Sequence, residues 1–168
     1  LGIAIAAAVA GGIRVWDAAR TFNTVDTDAL FALGILERDL VNTFPFYDVP
    51  FEGSAQRVSF PALSLDDEGR EGIATVEHGF DSSRGRLLRR THVYPAPAPS
   101  TAAGEELLRG AAGLTLRYFR PSDSGAGGEW VGSWSSATNH PSRVSIELRF
   151  KEGEDAIEVK RVVLLPLG

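Results

Sequence analysis

The first thirteen residues, Leu1 to Ile13, carry no charged side chain. A helix of this length spans about 20 Å, whereas the hydrocarbon core of a bilayer is about 30 Å thick, so the run alone cannot cross a membrane. Three interpretations compete. The run is the apolar core of a signal peptide, a buried helix of the folded protein, or the second half of a longer membrane helix.

The residues around this run favour the third interpretation. No basic segment precedes it, and Arg14–Asp17 has no small-residue cleavage pattern. The chain contains no Met, so we expect residue 1 to lie inside a longer precursor. We predict an apolar stem over residues 1–21 and a globular head over residues 22–168. The stem side chains expected to pack in the membrane are Leu1, Ile3, Ile5, Val9 and Ile13.

A helical pattern continues from Arg14 to about Asn42, with no turn between it and the stem. Apolar residues recur at steps of three or four, which places them on one face that is expected to seal a sheet. This face consists of Phe22, Val25, Ala29, Leu33, Leu36, Leu40 and Phe44. The charged residues Glu37, Arg38 and Asp39 are predicted to lie on a solvated flank. Pro45 ends the helix, because the residue before a proline is disfavoured in the α conformation.

After residue 50 the period changes to the alternation that is typical of strands. The predicted strands are Gln56–Leu65, Gly72–Phe80, Arg86–Tyr94, Leu114–Phe119, Arg143–Phe150 and Ala156–Leu165. Pro61 indicates a strand edge or a bulge, and Glu105–Leu108 is predicted to be a helical turn. A long helix followed by antiparallel strands joined by short turns predicts an α+β fold, with the helix packed on the sheets.

The charged and polar residues exclude several function classes. The net charge is -5 and no basic stripe is present, so nucleic-acid binding is not expected. The absence of Cys excludes thiolate chemistry. His78 and His92 are candidates for neighbours across a hairpin, but no third ligand supports a zinc site with them or with His140. Asp66–Glu68 has oxygen ligands that suit calcium, but it lacks the spacing of an EF-hand and is predicted to be a solvated turn. No cofactor, metal or catalytic group is expected.

Two tryptophans, Trp130 and Trp134, are the candidates for partner contacts. Tryptophan is enriched at the energetic centres of interfaces. We also expect at least one of the two to be buried against the sheet core.

Short motifs follow one another along the chain in a distinctive order. They are LERDL (Leu36–Leu40), RVSF (Arg57–Phe60), GRLLRR (Gly85–Arg90), LL-x-G-x-x-x-L (Leu107–Leu114), GEW with a second Trp (Gly128–Trp130, Trp134), P-x-x-V-x-I-x-L (Pro141–Leu148) and LLP (Leu164–Pro166). In their order and spacing they resemble the J-type minor pseudopilins of type II secretion systems. The resemblance covers nearly the whole chain from Phe22 onward.

The resemblance implies a pilin-like fold and a structural role rather than catalysis. Such a subunit is expected to span the bacterial inner membrane once, with its head in the periplasm. Its expected partners are the major pseudopilin and the I-type and K-type minor subunits, with which it would form the tip of the pseudopilus. The stem and the exposed flank of the helix would carry most of the association. Two alternatives stay open: a minor pilin of a type IV pilus, and an anchored periplasmic ligand-binding domain or enzyme, which would need a deep pocket.

Overall fold

A computed structural model describes residues 27–65, 69–95, 104–122, 127–152 and 155–166. These residues form one helix, α1, over residues 27–41, followed by ten strands. The strands are β1 (Phe51–Gly53), β2 (Arg57–Leu65), β3 (Glu71–Asp81), β4 (Arg86–Val93), β5 (Glu105–Arg109), β6 (Ala111–Pro121), β7 (Gly128–Val131), β8 (Trp134–Ser136), β9 (Arg143–Glu152) and β10 (Asp155–Leu164).

Helix α1 buries one face and exposes the other. Leu33, Leu36 and Leu40 are at most 1% exposed, and Ala29 and Ala32 lie beside them. The helix ends before Pro45 with a tighter turn, in which the Thr43 amide donates to the Leu40 carbonyl at 3.2 Å. The structure therefore describes the last part of the predicted helix, over residues 27–41, whereas the part predicted from Arg14 to Asp26 lies outside the described residues. The predicted stem and the core positions Phe22 and Val25 lie outside the described residues.

The first sheet has six antiparallel strands in the order β5-β4-β3-β2-β1-β8. Strands β1 to β5 form a meander in which each strand pairs with the next, and β8 returns to pair with β1. Alternate residues point to the inner face, where Val58, Phe60 and Val76 are at most 1% exposed. This face and helix α1 enclose the core.

The second sheet has four antiparallel strands in the order β10-β9-β6-β7. The chain passes from the first sheet to the second at Gly110, whose φ of 84° suits glycine. Tyr118 of β6 then connects the two sheets, because its hydroxyl donates to the Ser54 carbonyl at 2.9 Å and its ring lies against Phe51. Inward residues of β6 and β9 join the same core as α1, so both sheets and the helix share this hydrophobic centre.

The prediction of a helical turn at Glu105–Leu108 is wrong, because these residues belong to strand β5. A β-bulge opposite Leu87 and Leu88 lets the consecutive residues Leu107 and Leu108 both be buried. The bulge inserts one extra residue and breaks the alternation that would identify a strand. The pairing of β5 with β4 adds an ion pair between Arg86 and Glu106.

Pro61 lies at a point of β2 where one side of the strand is an edge, as a proline within a strand indicates. On one side it pairs with Thr75 of β3, whereas strand β1 reaches only as far as Ser59 on the other side. Thr43 takes the place of a neighbouring strand there, and its hydroxyl donates to the Pro61 carbonyl at 2.9 Å. The missing amide hydrogen of proline therefore costs no ladder bond.

Candidate functional site

A buried polar network joins α1 to the first sheet. Asp39 of α1 is only 6% exposed, and His78 of β3 is fully buried. The Nε2 atom of His78 lies 2.9 Å from Oδ2 of Asp39. Arg89 of β4 donates from Nε to the same oxygen at 2.6 Å and from Nη2 to Oδ1 at 3.3 Å. His78 and Arg89 are directly opposite each other in the sheet, so one carboxylate holds two neighbouring strands.

The charge states of the network follow from burial and from these hydrogen bonds. Burial lowers the pKa of His78, and its hydrogen bond to the Asp39 carboxylate, which acts in the opposite direction, does not offset this effect. Burial alone would raise the pKa of Asp39, but the hydrogen bonds with His78 and Arg89 outweigh it and hold that pKa below its usual value. At neutral pH the network is therefore an Asp39–Arg89 ion pair with a neutral His78 that donates through Nε2.

The prediction that Asp39 lies on a solvated helix flank is wrong. Asp39 lies three residues after Leu36 and seven after Ala32, which places it on the buried face. That spacing is the signal that could have identified it, because a charged residue on an apolar face needs a buried partner. His78 and His92 are not neighbours either: three positions apart in register, they point to opposite faces of the sheet.

A second ionic cluster lies on the outer face of the same sheet. Glu77 is only 7% exposed. It accepts from Nη2 of Arg57 at 2.6 Å and from Nη1 of Arg90 at 2.7 Å. Because the three residues come from adjacent strands, the cluster fixes the register of β2, β3 and β4 on the side away from α1.

The outward face of α1 carries large apolar side chains. Leu30 is 50% exposed, Phe31 67% and Val41 48%. Between them lies Gly34, where an added Cβ would have no atom within 4 Å. A surface with apolar side chains on both sides of a glycine lets a second helix approach closely. We call Leu30, Phe31, Gly34 and Val41 the outward helix surface.

The two tryptophans are both half-buried, so the expectation that at least one is buried against the sheet core holds only in part. Trp134 packs at the edge of the core and donates from Nε1 to the Asn139 carbonyl at 3.0 Å. Trp130 lies in β7 with its ring edge-on to Phe119. Both strands are only three or four residues long, which is too short for alternation to reveal them.

A cleft of ≈ 500 Å³ lies beside Trp134 and is lined by Arg120, Ser136, Asn139 and His140, among others. Burial lowers the pKa of His140. Within the described residues the buried Nδ1 atom of His140 has no hydrogen-bond partner, and no three His, Asp or Glu side chains are placed to hold a metal ion. The candidate calcium turn Asp66–Glu68 lies outside the described residues. The described residues of the cleft thus offer hydrogen-bonding groups, but not a histidine that a carboxylate orients as a general base.

Within the described residues, no helical segment combines the length and the hydrophobicity that are needed to span a bilayer. In the comparison with protein families, the model described as type II secretion system (T2SS), protein J, matches residues 30–165. The match includes most of α1 and all ten strands. No curated protein matches the chain.

Proposed function

Since the chain belongs to the type II secretion system protein J family, we propose that it is a minor pseudopilin which joins the tip of the secretion pseudopilus through α1. The family consists of structural pseudopilins and not of enzymes. The type II secretion role follows from the family, and the position at the tip is the proposal.

The observation that carries the proposal is the contrast between the two faces of α1. The inner face is held by apolar packing and by the Asp39–His78–Arg89 network. The outward helix surface exposes Leu30, Phe31 and Val41 to solvent. Full burial of one such side chain contributes about 1.5–3 kcal/mol, and roughly half of that remains to be gained at each of the three, because they are already about half-buried. The three together would therefore add to the contact that the stem makes.

The proposed partners are the I-type and K-type minor subunits and the major pseudopilin. Residues 1–21 would continue the contact as an apolar stem in the inner membrane, with Leu1, Ile3, Ile5, Val9 and Ile13 against neighbouring stems. The head would then lie in the periplasm. The outward helix surface supports this arrangement, because it lies on the first described element after the stem and presents a glycine between apolar side chains.

The test uses the full precursor in cells that assemble the secretion system. Phe31→Glu places a charge in the proposed contact, and we expect at least a tenfold loss of copurified I-type and K-type subunits together with reduced secretion. Tyr47→Glu is the matched control, because Tyr47 is a 77% exposed aromatic residue outside the helix. The thermal unfolding midpoint of both variants should equal that of the parent. Copurification of Phe31→Glu at the parent level would refute the proposal.

A further inference from the structure

The outer face of the second sheet carries a row of aromatic, apolar and cationic side chains. The strand register places Trp130 opposite Phe119, Phe119 opposite Arg143 and Arg143 opposite Leu164. The adjacent row on the same face contains Arg117 and Val162, which flank Ser145. We call Arg117, Phe119, Trp130, Arg143, Val162 and Leu164 the arginine-aromatic patch.

The patch is held in place before any partner binds. The Phe119 ring lies across β7 at Gly128, where an added Cβ would be 2.6 Å from Cζ of Phe119. Trp130 meets this ring edge-on with the centroids 5.2 Å apart. The Arg143 guanidinium carbon lies 4.8 Å from the ring centroid, and Arg117 donates from Nη2 to the Trp130 carbonyl at 3.3 Å. These contacts reduce the side-chain entropy that a partner would otherwise have to remove.

The apolar members of the patch are exposed although they lie in a sheet. Val162 is 56% exposed and Leu164 67%. They lie at the end of β10 that is next to the aromatic rings. In the strand register Val162 is opposite Ser145 and Leu164 is opposite Arg143, so the guanidinium of Arg143 is the charged group directly beside them. Exposed apolar side chains adjacent to tryptophan and arginine have the composition of an interface centre.

The charge of the patch is opposite to that of the whole chain. Within the described residues, no carboxylate lies within 4.0 Å of a nitrogen of Arg117 or Arg143. Farther along the same face, by contrast, Lys160 is paired with Glu147 at 3.3 Å. Within the part of the chain that the structure describes, these two guanidinium groups thus have no carboxylate partner, although the net charge of the protein is -5. The partner that complements this patch is acidic.

We propose that the arginine-aromatic patch is a second interface, which binds an acidic surface or extended segment of another protein. Carboxylates of the partner pair with Arg117 and Arg143, and its apolar side chains cover Val162, Leu164 and the edge of Trp130. A protein fits better than a lipid surface, because the cations and the apolar side chains are mixed on one face of the sheet. In helices that lie in a membrane interface, by contrast, the basic and the apolar side chains occupy opposite faces. The inference goes beyond the proposed function, since the patch faces away from the core that α1 shares and needs no contact from the helix.

The experiment places a photo-crosslinking amino acid, p-benzoylphenylalanine, at Val162 of the full-length protein in secreting cells. We expect a crosslink to one protein, with the crosslinked peptide rich in Asp or Glu. Arg117→Glu combined with Arg143→Glu should reduce the yield at least tenfold. Lys151→Glu with Arg149→Glu is the matched control, because it makes the same charge change at the other end of the same sheet face. The control should keep the parent yield.

Two further measurements secure the result. Changing the mapped carboxylates of the partner to lysine should restore the crosslink to the Arg117→Glu, Arg143→Glu variant. The milder Arg117→Gln, Arg143→Gln variant should lose yield as well, and its thermal unfolding midpoint should equal that of the parent. Crosslinks to lipid, to a second copy of this chain or to nothing would overturn the proposal. Equal yields from the patch variant and the control would overturn it too.

Discussion

Replacement of Asp39 by alanine tests whether the buried network fixes α1 to the sheet. The change removes the acceptor of the bonds from Arg89 at 2.6 and 3.3 Å and the partner of His78 at 2.9 Å. The side chain of Arg89 is 21% exposed, so its charge stays largely desolvated after the change. Loss of one partner of a buried ion pair costs about 3–5 kcal/mol. Because Arg89 keeps some contact with water and with Glu105, we expect about 3 kcal/mol.

Chemical denaturation at pH 7, followed by near-UV circular dichroism, measures this loss. A destabilisation of about 3 kcal/mol corresponds to a fall of about 6–12 °C in the thermal midpoint for a domain of this size. Glu37→Ala is the matched control: Glu37 is an exposed carboxylate on the same helix, and its removal should change the free energy of unfolding by less than about 0.5 kcal/mol.

A second substitution separates the ion pair from general packing. Adding Arg89→Leu to Asp39→Ala removes the unpaired cation, so the double variant should recover at least about 1 kcal/mol relative to Asp39→Ala alone. A loss below about 1 kcal/mol for Asp39→Ala, or no recovery in the double variant, would show that the network does not hold the helix.

Two further predictions concern pH and backbone approach. The pKa of His78 is lower in the folded protein than in the unfolded chain, so the unfolded chain binds the proton first as pH decreases, and stability should fall below about pH 6.5. Urea midpoints measured between pH 7.5 and pH 5 should show this fall, and the fall should be smaller in the His78→Leu variant. Equal falls in the two proteins would contradict the prediction. Gly53→Ala should destabilise the fold by about 1–3 kcal/mol in the same assay, because a Cβ at this position overlaps the Tyr118 ring. Gly72→Ala is the control and should be nearly neutral, because a Cβ there meets no atom within 4 Å. An unchanged stability of Gly53→Ala would show that the Tyr118 ring moves aside.

The long strands could be predicted from the sequence because burial alternates along them. In β9, Val144, Ile146 and Leu148 are fully buried, and each is followed by a residue that contacts solvent. The period of two is then visible without knowledge of the neighbouring strands. The same alternation identifies β6 through Leu114, Leu116 and Tyr118, although the position of these strands in two separate sheets is not encoded in it.

The parts that could not be predicted depend on contacts between distant residues. Asp39 and Glu77 are charged residues in buried positions, and their burial is explained by cationic partners that are distant in the sequence. Arg89 lies 50 residues from Asp39, and the two arginines that contact Glu77 lie 20 and 13 residues from it. Strand β5 could not be predicted because its bulge interrupts the alternation of buried and exposed residues. Strands β1, β7 and β8 are too short for such an alternation to be recognised. In each case local pattern lacks the information, because the stabilising partner is supplied by tertiary structure.

The polar contacts that hold α1 against the sheet determine how precisely its outward side chains are oriented. Apolar packing alone has little directional preference, so a helix held only by leucines tolerates small rotations and shifts. Asp39 receives bonds from two strands at once, and these bonds break if the helix rotates or slides. The network therefore fixes the direction in which Leu30, Phe31 and Val41 point. On this argument a variant such as Asp39→Ala should weaken subunit copurification even though it touches no residue of the outward helix surface, whereas an isolated loss of surface contact, as in Phe31→Glu, leaves stability unchanged.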